Sequence, residues 1–227
     1  MKTKILAAIV AVMAVGAAQA TLWTYTYNSG FDPGNGVIPD GNTAGWQDTR
    51  TISDITPDDT IVDVNVRLNI SGGYNGDLYG YLVHSTGFAV LLNRSGRTSS
   101  DAFGYADAGF NITLDGSAAT DIHSYGGNGG SQLTGTWQAD ARNVDPGIVT
   151  DASSRTAYLS SFDTLAANGD WTLFLADMSG GDVGTLVSWG LDIEVVPEPI
   201  TWALIVFGGA LGAARLGRHL RGRRQAS

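Results

Sequence analysis

The chain has 227 residues, no cysteine, 13 Lys and Arg against 22 Asp and Glu, and a formal net charge of −9. Without cysteine there can be no disulfide, thiolate zinc site or cysteine nucleophile. So strong a negative balance repels other polyanions and sets DNA and RNA aside as partners.

At the N-terminus, Lys2 and Lys4 precede an apolar stretch, Ile5 to Ala17, and then Ala18-Gln19-Ala20. A positive start, an apolar run and a small-x-small site predict a signal peptide over 1–20, cleaved at Ala18 and Ala20 so that the mature chain starts at Thr21. Residues 21–196 then make one domain, long enough for a sizeable core. Six arginines and 21 acidic residues fall inside it, for a net charge of −15 with no lysine, and Glu194 is its one glutamate.

The domain reads as all-β. Trp23 to Tyr27 alternates and suggests an early strand. Val62, Val64, Val66, Leu68 and Ile70 alternate with polar residues, as do Val187, Trp189, Leu191, Ile193 and Val195. That period of two marks strands with one buried face. Between them come shorter runs, 78–83, 88–92, 110–114, 135–139 and 171–176. Asn75-Gly76, Thr86-Gly87, Asn128-Gly129 and Asn168-Gly169 are the turn signals that separate the runs. Short strands at this spacing predict a sandwich or jelly roll, with Trp171 and Trp189 packing across its core. Segment 151–165 is the nearest approach to a helical pattern and has room for one turn.

The chain closes with Pro197-Glu198-Pro199, an apolar run from Ile200 to Ala214, and Arg215, Arg218, Arg221, Arg223 and Arg224. The order tripeptide, hydrophobic helix (200–216), arginine cluster resembles the PEP-CTERM sorting tail of Gram-negative bacteria. The resemblance implies an exosortase-type processing protease as a partner and transient anchoring in the inner membrane. The arginines predict a cytoplasmic end for this segment and an outer location for the domain. Its fifteen apolar residues are short of the ~20 of a spanning helix, and snorkelling arginines would extend it.

Several pieces of the domain, in order, are similar to the P-domain (P/Homo B) of proprotein convertases. They are Ile38-Pro39-Asp40-Gly41-Asn42, the strand–turn–strand unit around Gly76-Asp77-Leu78, the segment 110–122 with Asp115, and Leu133-Thr134-Gly135. Last come Asn168-Gly169-Asp170-Trp171, Asp177, Asp182, Gly184, Leu186 and Trp189. The match runs over about 38–195. It implies a jelly-roll type β-sandwich, which in convertases supports the neighbouring protease. Gly72, Ser85 and Ala139 depart from the family pattern.

For catalysis the domain offers two histidines, His84 and His123, and no G-x-S-x-G elbow; Gly129-Gly130-Ser131-Gln132-Leu133 lacks the closing glycine. No HExxH or EF-hand loop is present. Aspartates in Gly/Asn-rich turns suit Ca²⁺, and Asp40, Asp77, Asp115 and Asp177 are the candidate ligands. Asp77 and Asp177 are equally suited to fixing a turn through backbone N–H groups. Trp46, Tyr105, Tyr125 and Trp137 lie near Gly-rich loops and are candidate binding aromatics as well as candidate core. The expected function is that of an exported, non-catalytic surface or extracellular-matrix protein binding envelope polysaccharide or a surface protein. An accessory domain acting in trans on a secreted subtilisin-like protease is the alternative, and a glycan hydrolase a third reading.

Overall fold

The computed structural model describes residues 19–197 and the isolated Gly209. The signal segment through Ala18, Glu198, Pro199 and the hydrophobic helix lie outside the described residues, apart from Gly209. Among those described, no helix is long and apolar enough to cross a membrane.

Nine strands follow in chain order: β1 (Thr21–Tyr27), β2 (Trp46–Ile52), β3 (Asp59–Gly72), β4 (Leu78–His84), β5 (Gly87–Asn93), β6 (Gly109–Leu114), β7 (Leu133–Trp137), β8 (Gly169–Asp177) and β9 (Gly184–Pro197). They form the expected all-β sandwich. One sheet has the order β1-β9-β3-β6-β7 and the other β2-β8-β4-β5. The β6–β7 pair is parallel. β1 lies antiparallel on β9 from Thr21↔Val195 to Tyr27↔Trp189, so the two ends of the described domain leave side by side.

Side chains from both sheets fill the space between them. Val66, Leu68 and Ile70 of β3, Phe110 and Leu114 of β6, and Trp189, Leu191 and Ile193 of β9 pack with Leu78, Leu82, Trp171, Leu173 and Leu175 of the facing sheet. Burying aromatics of this size contributes a few kcal/mol each at ~25 cal/mol per Å². Trp171 also donates its indole N–H to the Ala167 carbonyl (3.0 Å) and stacks flat on the buried His84 at 4.0 Å.

Two local expectations change, and two open readings resolve. The long strands lose their alternation once each. Ile61 is buried while Val62 is 41% exposed, and Leu186 is buried while Val187 is 44% exposed. β2 carries no apolar alternation and forms because β8 offers it an edge, from Trp46↔Leu175 to Ile52↔Gly169. Trp46, offered as either core or binding aromatic, resolves to core, buried on that strand edge-on to Phe31. Asn75-Gly76 makes the expected turn, a buried 3₁₀ one, and Asn75 exchanges hydrogen bonds with the Gly109 N–H and carbonyl. The segment 151–165 does hold one turn, the 3₁₀ stretch Leu159–Phe162.

Candidate functional site

β3 ends, β4 begins, β5 ends, β6 begins, β8 ends and β9 begins at the same end of the sandwich. The loops 28–45, 73–77, 94–108, 125–132 and 178–183 therefore gather there. Three of the four candidate aspartates come with them. Asp177 pairs with Leu78 in the register of β4 and β8, and Asp77 immediately precedes Leu78. Asp40 joins through the Gly181 N–H, which donates to its Oδ1 at 2.9 Å. The chain stretch carrying Asp40 is tied in further by Ile38 N–H to the Gly184 carbonyl (2.9 Å). Asp115 does not join them. It follows the far end of β6, accepts from the Ser117 N–H at 2.7 Å, and neighbours Asp63.

The three gathered aspartates differ in environment. Asp40 is exposed. Asp77 is 8% exposed and its Oδ1 takes the Arg94 guanidinium at 3.1 Å, while Arg94 also donates to the Gly76 carbonyl at 2.8 Å. Burial pushes the Asp77 carboxyl up and the Arg94 guanidinium down, and each partner's charge opposes the shift. Asp177 is fully buried. Its Oδ1 accepts from the Ser179 N–H (3.0 Å), and its Oδ2 has no hydrogen-bond partner. Burial first, then the charges of Asp77 and Asp40, push the Asp177 carboxyl up to about 6. Among the described residues no group of three or more acidic or histidine side chains stands in a metal-holding arrangement.

A second polar cluster was not legible in the sequence. His123 sits in a short 3₁₀ turn, 1% exposed, with Nδ1 at 2.8 Å from Asp140 Oδ2 and Nε2 at 2.8 Å from the Arg97 carbonyl. Arg142 bridges Asp140 (3.3 Å) and Asp121 (3.4 Å), and Arg155 approaches Asp121 at 3.8 Å. The Asp107 carboxylate, also buried, accepts from Tyr125 Oη (2.8 Å) and from the Asn128 and Gly130 N–H groups (2.7 Å each) and so orders the glycine-rich loop. Tyr105 leans on Tyr125 at 4.3 Å, and Trp137 turns its indole N–H to the Thr134 carbonyl. These three aromatics are half-buried loop struts rather than an open platform.

Neither of the two described histidines is arranged as a base. His84 has both ring nitrogens against carbonyls, Asp170 (3.0 Å) and Ala166 (2.7 Å), and His123 has both engaged as above. A general base needs a free nitrogen within reach of the proton it takes. One cavity, ~360 Å³, lies on the open face of the five-stranded sheet, lined by Arg67, Asn69, Asn111, Thr113 and Thr136, with no carboxylate pair among its lining residues; another, ~320 Å³, is lined by Asp63 and Asp163, whose carboxyls burial pushes up, together with Arg155 and Tyr158. Two carboxylates about the scissile bond are the usual requirement of glycoside hydrolysis.

No known protein family matches the chain. No curated protein matches it either. Among solved structures it resembles a chain in the complex of the Aeromonas sobria serine protease with its chaperone, at 15% identity and a TM-score of 0.43, over 79% of this chain and 27% of that chain. It also resembles the Aeromonas sobria serine protease determined alone, at 16% identity and a TM-score of 0.42, over 78% of this chain and 27% of that one. The chain thus spans about a quarter of the length of the structures it resembles, and likeness this distant carries no functional weight.

Proposed function

We propose that this chain is an exported, non-catalytic β-sandwich that works by binding a protein partner through its loop-bearing end, as an accessory domain docking on a secreted subtilisin-like protease. The observation that carries the reading is the interlocking of the P-domain-like pieces. Residues 38–42, the Gly76-Asp77-Leu78 turn and the 177–184 loop meet through Ile38 to Gly184, Asp40 to Gly181, Leu78 to Asp177 and Met178 N–H to the Asp77 carbonyl. The engaged ring nitrogens of both described histidines add to it. Mixing the full chain with a subtilisin-like protease secreted by the same cell tests the reading. A rise in the protease's inactivation temperature with co-elution supports it; independent elution and an unchanged temperature overturn it.

A second reading, a surface or matrix protein binding envelope polysaccharide, is favoured by the side-by-side exit of β1 and β9. In this reading the exosortase-type protease acts at Pro197-Glu198-Pro199, and the hydrophobic helix holds the chain in the inner membrane until then. Deleting the chain and finding the matrix unchanged would count against it.

For Ca²⁺ the proposal drops Asp115, which stands at the other end, and requires Asp40, Asp77 and Asp177 to close in around the ion, because as they stand they form no metal-holding group. The unpartnered Asp177 Oδ2 supports it. Thermal unfolding of the full chain in Ca²⁺ and then in chelator decides. A site held at 100 times its dissociation constant adds ~2.7 kcal/mol. A rise of several degrees that Asp177→Asn removes assigns the site; no rise returns these residues to turn and ion-pair roles.

A further inference from the structure

Arg97 is the joint between two loops at the partner-facing end. Its guanidinium donates to the carbonyls of Pro146 and Gly147, and its own carbonyl accepts from the Asp151 N–H (3.1 Å) and faces His123 Nε2 (2.8 Å). The Gly96 N–H beside it donates to the His123 carbonyl at 2.7 Å, and the Tyr105 N–H to the Ser95 carbonyl at 3.0 Å. Each loop displays one large apolar side chain, Phe103 at 69% exposed and Ile148 at 70%. Holding Arg97 therefore holds the backbone from which both side chains project.

His123 can donate to both of its acceptors in only one state of charge. Its two nitrogens face two acceptors, the Asp140 carboxylate and the Arg97 carbonyl. A neutral imidazole has one N–H and one lone pair. The Asp140 carboxylate, being charged, is the stronger acceptor and keeps the single N–H of the neutral ring on Nδ1; the lone pair on Nε2 then opposes the Arg97 oxygen inside a site 1% exposed, and an unmade contact between buried acceptors is costly. The imidazolium donates to both.

We propose that His123 is a proton-operated latch on the loop-bearing end, closed when the ring is charged and released, with the 94–105 and 143–149 loops, when it is neutral. The charged groups around the ring fit this. Asp140 faces it from the segment after β7, with Arg142 beyond on the same carboxylate; Asp121 accepts the His123 N–H within its own turn, and Arg155 pairs behind Asp121. Burial opposes the charge, but the hydrogen bond and charge of Asp140 outweigh it, so the ring holds its proton above the ordinary 6.5. The latch is closed in full below that value and opens as pH rises through the folded one. This goes beyond the accessory reading and does not depend on which partner binds.

The test is a pH series on the full chain. Histidine NMR follows the three rings, and hydrogen exchange, corrected for its intrinsic pH dependence, follows the Gly96, Tyr105 and Asp151 amides, with β8 as reference. The expected result is a His123 midpoint above 6.5, and across that midpoint a loss of protection confined to the two loops. Its size should be roughly tenfold for each unit by which the midpoint exceeds 6.5. His123→Gln should abolish the pH dependence; if that variant does not fold, the wild-type titration stands alone. A midpoint below 6.5, or protection that does not change as the ring titrates, overturns the latch.

Discussion

Arg94 and Asp77 are each 8% exposed and close their pair at 3.1 Å, in the turn where β4 leaves the 3₁₀ stretch. Breaking such a pair leaves one buried charge uncompensated, at a cost of about 3–5 kcal/mol. Arg94→Ala and Asp77→Ala should each lower the unfolding temperature by roughly 6–20 °C for a domain of this size. The double variant should lose less than the two singles summed; strict additivity in urea unfolding would show that the pair does not couple. At Gly76 a Cβ would overlap the Phe103 carbonyl, backbone against backbone. Gly76→Ala should therefore destabilise by about 1–3 kcal/mol, and a variant as stable as the parent would mean that the 94–108 loop yields freely. His123 adds a pH arm. Its charged form is favoured by folding, so its contribution is complete below pH 6.5 and fades as pH rises through the folded value. His123→Gln should flatten that alkaline fall in stability.

Among the strands, β8 carries the second sheet, with β2 on one edge and β4 on the other. Trp171 is its best-anchored side chain, fully buried, stacked on His84 and bonded to the Ala167 carbonyl. Trp171→Ala should cost about 3–5 kcal/mol, whereas Val187→Ser, on an exposed position of β9, should stay within about 0.5 kcal/mol. Equal effects at the two sites would contradict the packing described. Asn168 explains why this strand starts where it does. Its side-chain amide pairs with both the N–H (3.2 Å) and the carbonyl (2.7 Å) of Ile55, standing in for a ladder rung between the two connections. The sequence marks Asn168-Gly169 as a turn and gives no sign of that partner, 113 residues away.

Across the whole molecule, the two described termini lie together at β1 and β9, and the loops that bear Asp40, Asp77, Asp177, Phe103 and Tyr105 gather at the end where β1 ends and β9 begins. A partner bound at the loop end leaves the other end open for attachment. Limited proteolysis of the full chain with bound partner should then protect the 94–105 and 178–183 loops and leave the region near Pro197 as accessible as before. Protection at Pro197 with the loops still cut would place the interface at the wrong end.

By itself the sequence determined the all-β class, most strands, and the inward direction of Trp171 and Trp189, because period-two burial is written along a single strand. It also showed that Asp40, Asp77 and Asp177 belong to separate segments. Only the tertiary structure decided that these three meet while Asp115 stands apart, since that depends on which strand ends share an end of the sandwich. The same holds for β2, which forms on an edge supplied by β8, and for the His123–Asp140 pair, whose members are seventeen residues apart. Val62 and Val187 face outward because the buried face changes phase within each long strand, between Ile61 and Val64 and between Leu186 and Trp189. Which face is covered is set by the neighbouring elements and leaves no mark in local composition.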